Sequence, residues 1–166
     1  EHDDYLKELV NQVMVRNRRQ DTGIEWTNRQ VNIIPIQFTA EEKEVYELIL
    51  DLKNISPVFS GAFSMITLQK EMCSSKEATF LTLNKMRQNC TSLEENNSVE
   101  NVMQKLMALD INSKAEKAFE IVSKAQDKVI IFTEYKASQA YLQWFLHTKG
   151  ITSVLFNGKL NKNKRD

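Results

Sequence analysis

The sequence predicts an α/β fold, in which at least two parallel strands joined by a crossover helix follow an α-helical section. Val129, Ile130, Ile131 and Phe132 form a short unbroken apolar run rich in β-branched residues, the pattern of a strand buried on both faces. From Ala137 the spacing changes: Ala137, Ala140, Tyr141, Trp144, Phe145 and Thr148 recur at three- and four-residue steps and line one face of a helix. Between about 39 and 109 the apolar residues fall at helical spacing in several successive segments.

In chain order, Leu6, Leu9, Val10 and Val13 share a helical face, which predicts a helix over about 4–14. It runs into a basic turn holding Arg16, Arg18 and Arg19. The segment VNIIPIQF (31–38) has strand character, but Pro35 cannot donate to a ladder, so an edge strand or extended linker is expected. Thr39 and Glu42 make a capping box for a helix whose face is Val45, Leu48, Ile49 and Leu52 and which ends near Asn54, before Ser56-Pro57. Residues 59–72 are helical again through Ala62, Met65, Ile66 and Met72, and Ser74 with Glu77 caps a further helix to about Arg87. Polar residues 90–98 predict a surface loop. Val99, Val102, Met103, Leu106 and Met107 form the next helical face, and Ser113 with Glu116 opens another helix carried by Ala115, Ala118, Phe119 and Val122.

After the strand at 129–132, Gly150 stops the crossover helix at a C′ position, 151–156 supplies the second strand, and Asn157-Gly158 closes it. The chain thus divides into an N-terminal helix, basic turn and linker (1–38), a helical section (39–111) and an α/β section (112–166). In open α/β sheets ligands collect beyond the carboxyl ends of the strands, so Thr133 and Lys136 share an edge with Asn157, Gly158 and Lys159. The same residues also suit ordinary loops.

Lys and Arg total 22 against 22 Asp and Glu, so any basic surface is local. No apolar run approaches the roughly 18 residues of a membrane span, and the acidic start is unlike a signal peptide, so a soluble cytoplasmic protein is expected. Cys73 and Cys90 lack the paired spacing of a zinc site, and no metal is expected.

IIFTEY (130–135) followed by a helix and FNGKLNKNKRD (156–166) resembles the opening of the second RecA-like lobe of superfamily 2 helicases of the Swi/Snf type. VMVRNRR (13–19), NIIP (32–35), FTAEEKEVYELI (38–49), SSKEA (74–78) and NSKAEKAFEIV (112–122) follow in the order of that family, most like its bacterial RapA-like subgroup. The resemblance implies a partial RecA-like parallel sheet with an α-helical protrusion. It implies double-stranded DNA held by its backbone at Thr133, Lys136, Asn157, Gly158 and Lys159, and an interlobe or nucleotide-proximal place for Arg16, Arg18 and Arg19. In the intact parent it implies ATP and Mg2+ as cofactors, a first lobe and a remainder of the second lobe as partners, and a bacterial, nucleoid-associated location.

No GxxxxGK[ST] loop occurs in the chain, and no Asp-Glu pair follows a strand to hold magnesium. The reading is therefore a fragment of a DNA-dependent ATPase that alone hydrolyses nothing and binds no cofactor, with uncovered strands that favour self-association. Two other readings stand beside it: a non-enzymatic α-helical interaction module on an α/β scaffold, and a nucleotide-binding α/β domain that has lost its phosphate loop.

Overall fold

The computed structural model describes residues 2–14, 30–110 and 112–157. The chain divides into two compact units, Glu1–Ile34 and Pro35–Asp166. In the first unit, α1 (His2–Val13) carries Asp3 and Asp4 in its first turn, where carboxylates complement the helix dipole. Its stripe of Leu6, Leu9, Val10 and Val13 is exposed. Arg16, Arg18 and Arg19, expected at an interlobe or nucleotide-proximal place, lie outside the described residues.

The second unit begins its helices with α2 (Ala40–Ile55). The Glu42 amide donates to Thr39 Oγ1 at 3.2 Å while the Thr39 amide donates to Glu42 Oε2 at 2.9 Å, so the predicted capping box is formed on both sides. Pro57–Phe59 makes one tight turn, followed by α3 (Ala62–Met72), α4 (Lys76–Arg87) and α5 (Leu93–Met107). These four helices pack as α2 on α3 and α5, and α4 on α3 and α5. Val45, Ile49 and Leu52 from α2 meet Leu68 and Met72 from α3, Leu83 from α4, and Val99, Val102, Met103 and Leu106 from α5, with Phe59 filling the space beneath the turn. Each fully buried aliphatic or aromatic side chain of this kind contributes about 1.5–3 kcal/mol of transfer free energy. Helices α6 (Ser113–Lys124) and α7 (Lys136–Thr148) pack on each other, and α7 also lies on α4.

The predicted parallel sheet, and with it the partial RecA-like lobe that the resemblance implied, is absent: among the described residues there are helices and no strand. Segments 129–132 and 151–156 have no regular secondary structure, and neither enters a ladder. Ile130 is 79% exposed, Phe132 92% and Val154 89%, so the apolar run is not sandwiched between helices as its composition suggested. Instead the second segment is held by side chains of α7, through Gln143 Nε2 to the Ser153 carbonyl at 3.1 Å and Gln139 Nε2 to the Phe156 carbonyl at 3.3 Å. A short apolar run states that a segment is apolar, not that another backbone lies beside it. The crossover helix itself is present, and it ends as expected: Gly150 has φ of 83°, with its amide donating to the His147 carbonyl at 3.0 Å and that of Ile151 to Leu146 at 2.9 Å.

Two smaller expectations also change. Residues 93–98, expected in a loop, open α5, because Ser92 accepts from the Glu95 amide at 3.1 Å and Glu95 Oε2 accepts from the Thr91 amide at 2.9 Å. The cap of α4 is Ser75 rather than Ser74, and that of α6 is Asn112 rather than Ser113.

Removing the cap and removing core volume should separate cleanly in size. Thr39→Ala is expected to cost about 1 kcal/mol, and Leu106→Ala, at a site with no exposure, about 2–5 kcal/mol. Urea unfolding followed by far-ultraviolet circular dichroism measures both. A Thr39 loss as large as that of Leu106 would mean that the cap anchors more than its own helix.

Candidate functional site

Three helix starts meet in one place. Helix α4 begins at Ser75, whose Oγ accepts from the Ala78 amide at 3.2 Å, and α6 begins at Asn112, whose Oδ1 accepts from the Ala115 amide at 2.9 Å. Helix α7 follows Tyr135, which offers its first turn no side-chain acceptor. Ser138, in that first turn and 5% exposed, places its hydroxyl 2.8 Å from both Ser74 Oγ and Ser75 Oγ. This junction fixes α7 on the start of α4.

Between the three starts lies a cavity of about 360 Å3. Thr133, Tyr135 and Ser138 line it from the α7 side, Lys70 and Ser74 from the end of α3, and Lys114 from the first turn of α6. Lys114 Nζ donates to the Cys73 carbonyl at 3.2 Å. Neither Lys70 nor Lys114 pairs with a carboxylate among the described residues, and Glu134 is the one acidic residue in the lining.

Of the residues singled out from sequence, Thr133 lines this cavity and Lys136 is the first residue of α7, exposed and without an acidic partner among the described residues. Asn157 Nδ2 donates to Gln139 Oε1 at 3.1 Å, so the end of the 151–157 segment returns to the first turns of α7. Thr133, Lys136 and Asn157 are thereby gathered around one helix start. Gly158 and Lys159 lie outside the described residues. Sequence reasoning missed Lys70, Lys114 and Ser138, and it gave Ser74 a capping role that Ser75 fills. Adjacent serines before a helix that needs one cap left a spare hydroxyl, but nothing local to it points to a partner 64 residues away.

The buried carboxylates near this junction are poorly solvated. Burial pushes the Glu71 carboxyl above its ordinary range, opposed by the Thr82 hydroxyl that donates to its Oε1 at 2.9 Å and by Lys85, and its Oε2 has no partner. Glu77 is raised by burial too, and its Oε2 is likewise unpartnered. Burial, with Glu77, Glu116 and Glu42 beyond it, pushes the Tyr141 phenol up to about 12, and burial followed by Glu134 and Glu71 raises Tyr135. Both phenols therefore keep their protons at neutral pH. Among the described residues no group of three His, Cys, Asp or Glu is placed to hold a metal ion, and no helix is long and apolar enough to cross a membrane.

In sequence, nearly the whole chain is similar to part of a protein named as an ATP-dependent helicase. That relative is the "uncharacterized ATP-dependent helicase YqhH" of Bacillus subtilis, 43% identical over 167 residues, a match covering 98% of this chain and 30% of the relative. The chain thus spans less than a third of the length of the curated relative it matches. No protein-family model and no solved structure matches.

Glu71 offers a test of the electrostatics. Its folded-state pKa is raised, so the folded chain binds this proton more tightly than the unfolded chain. Stability from this group falls as pH rises from the ordinary value of 4.5 through the raised value, and is lowest at neutral pH. Glu71→Gln removes the poorly solvated charge and keeps an acceptor for Thr82, so it should stabilise by about 1 kcal/mol at neutral pH and by little in acid. Denaturant unfolding over a pH series reads this, and a destabilised variant at neutral pH would show that the carboxylate is needed in its charged form.

Proposed function

We propose that the chain is part of an ATP-dependent helicase of the Swi/Snf type, and that the start of α7 grips the phosphate backbone of double-stranded DNA. The observation that carries this is the 43% identity, over 98% of the chain, to a protein named as an ATP-dependent helicase. The chemistry around α7 supports it. A backbone grip needs donors and positive charge but no base-reading groups, and Thr133, Lys136 and Asn157 supply a hydroxyl, an ammonium and an amide around one helix start. Gly158 and Lys159 continue the chain directly from Asn157, and a glycine there permits close approach to a strand. In the intact protein Arg16, Arg18 and Arg19 would lie between the lobes or near the nucleotide, and ATP and Mg2+ would be held by residues outside this chain. The 166 residues contain no GxxxxGK[ST] loop, so the reading assigns them grip and not hydrolysis.

The helix-only architecture of the described residues favours one alternative, a non-enzymatic helical interaction module. The two readings separate on DNA. The isolated chain should show no ATP turnover above background with or without DNA, and turnover that survives further purification would overturn the assignment of hydrolysis to other residues. In the full-length protein, Thr133→Ala and Lys159→Ala should weaken binding to two unrelated duplexes alike. The lysine change should lower the slope of log affinity against log salt by about one unit and the threonine change should leave it nearly unaltered. A loss confined to one duplex sequence, or no loss, would remove this edge from the DNA site and leave the interaction module.

A further inference from the structure

The segment KVIIFTE (128–134) is exposed along its whole length and lies in no helix. Its exposure alternates: Ile130 and Phe132 are 79% and 92% exposed, whereas Val129 and Ile131 are 41% and 39%. Every second side chain therefore faces outward, which is the period of a strand. The Lys128 amide donates to Asp127 Oδ1 at 2.7 Å, and beyond it no amide or carbonyl from 129 to 134 has a partner among the described residues. Exposed apolar side chains on an unpaired backbone form an edge that a second chain can pair with.

The order of the residues selects the partner. Turned about Ile131, an antiparallel copy of the segment sets Lys128 opposite Glu134, Val129 opposite Thr133 and Ile130 opposite Phe132. Opposite charges then meet at both ends, and β-branched or aromatic side chains face one another between them, the combinations that stabilise antiparallel pairs. A slip to a centre at Ile130 sets Lys128 against Phe132, and a centre at Phe132 sets Ile130 against Glu134 and Lys128 against Lys136. A centre between Ile130 and Ile131 sets Asp127 against Glu134. Of these registers the one about Ile131 alone matches charge with opposite charge. With 22 basic and 22 acidic residues, no overall charge holds two copies apart.

We propose that residues 128–134 are an interface between two copies of this chain, paired antiparallel about Ile131. The contact is isologous: Lys128 of one copy meets Glu134 of the other, and the reverse holds at the opposite end. It joins two chains through one ladder and adds no sheet within either. The inference stands apart from the DNA-backbone reading, because it uses only the apolar pattern, the unpaired backbone and the two end charges of this segment.

The experiment is sedimentation equilibrium of the 166-residue chain over a range of concentration at low salt. It is run beside Lys128→Glu, Glu134→Lys and the double variant that exchanges the two charges. One short strand pair is marginal in water, so the wild type should pass from monomer to dimer as its concentration rises. Either single change makes both end pairs repulsive and should weaken the dimer about tenfold. The double variant should regain most of that loss, and the differences should shrink in high salt. Lys128 and Glu134 are exposed, so all three variants remain folded. Hydrogen exchange gives a second reading: amides within 129–134 should exchange more slowly in the dimer than after dilution. A monomer at every concentration overturns the interface. A dimer that neither single change weakens has its contact elsewhere and overturns it too, and a loss that the exchanged charges fail to restore overturns the pairing about Ile131. Slow exchange that persists in the monomer means that another part of the same chain covers the segment, which rules out a second copy as its occupant.

Discussion

The contact of the Ser138 hydroxyl with those of Ser74 and Ser75 is the constraint on which the rest of the site depends. A neutral hydrogen bond adds only about 0.5–1.5 kcal/mol to stability, whereas a buried hydroxyl left without a partner costs about 1–3 kcal/mol. Three hydroxyls that satisfy one another therefore do less to hold α7 down than to forbid other placements. A shift of α7 along α4 by a single residue would part the Ser138 hydroxyl from Ser74 and Ser75, while Ser75 would still accept from the Ala78 amide. The register of the helix start, and with it the positions of Thr133 and Lys136, follows from that penalty.

Glu42 performs the same task for α6. Its carboxylate, buried within α2, accepts from the Thr39 amide, from the Ser113 amide at 3.0 Å and from the Ser113 hydroxyl, so one side chain closes the start of α2 and draws up the start of α6. An aromatic seam then joins α6 to α7: Phe119 meets Phe145 edge-on at 6.5 Å, Tyr141 stacks on Phe145 at 5.9 Å, and Lys149 lies over both phenylalanine rings. Such pairs contribute beyond the area they bury. Hydrophobic burial holds α2 to α5 together, but polar side chains decide where the starts of α4, α6 and α7 lie. A cavity bounded by three helix starts is what that division of labour leaves.

What was legible in the sequence was what is local. The Thr39 and Glu42 box and the glycine stop at Gly150 are fixed by residues within one turn of each other, and both are formed. The helical faces of α2 and α5 were legible as well, because their spacing reports burial directly. Ser74 was assigned the cap and Ser75 took it, because either serine satisfies the local rule and Ser138 on a distant helix breaks the tie. The same limit produced the larger error at 129–132 and 151–156. Apolar, β-branched composition fits a strand, but a strand exists only with a second backbone beside it, and here the neighbour of 151–156 is a pair of glutamine side chains on α7. Lys70 and Lys114 carried no signal in sequence, since a lysine on a helix is ordinarily solvated.

The formal neutrality of the chain conceals how its charges are partitioned. Glu120 is held by Lys117 and Lys124, which draw its carboxyl down to about 2, Glu44 pairs with Lys105, and Glu116 with Lys149. Glu42 is committed to Thr39 and Ser113. Glu71 and Glu77, the acids beside the α4 to α7 contact, are pushed by burial toward their neutral forms. These acids are thus paired, hydrogen-bonded or weakened by burial, while Lys70, Lys114 and Lys136 have no acidic partner among the described residues. A count of 22 basic against 22 acidic residues gives no net field at long range, so any charge effect here is local, set by these lysines and by Glu134 beside them. Such a distribution suits contacts made at close range rather than long-range electrostatic capture of a charged partner.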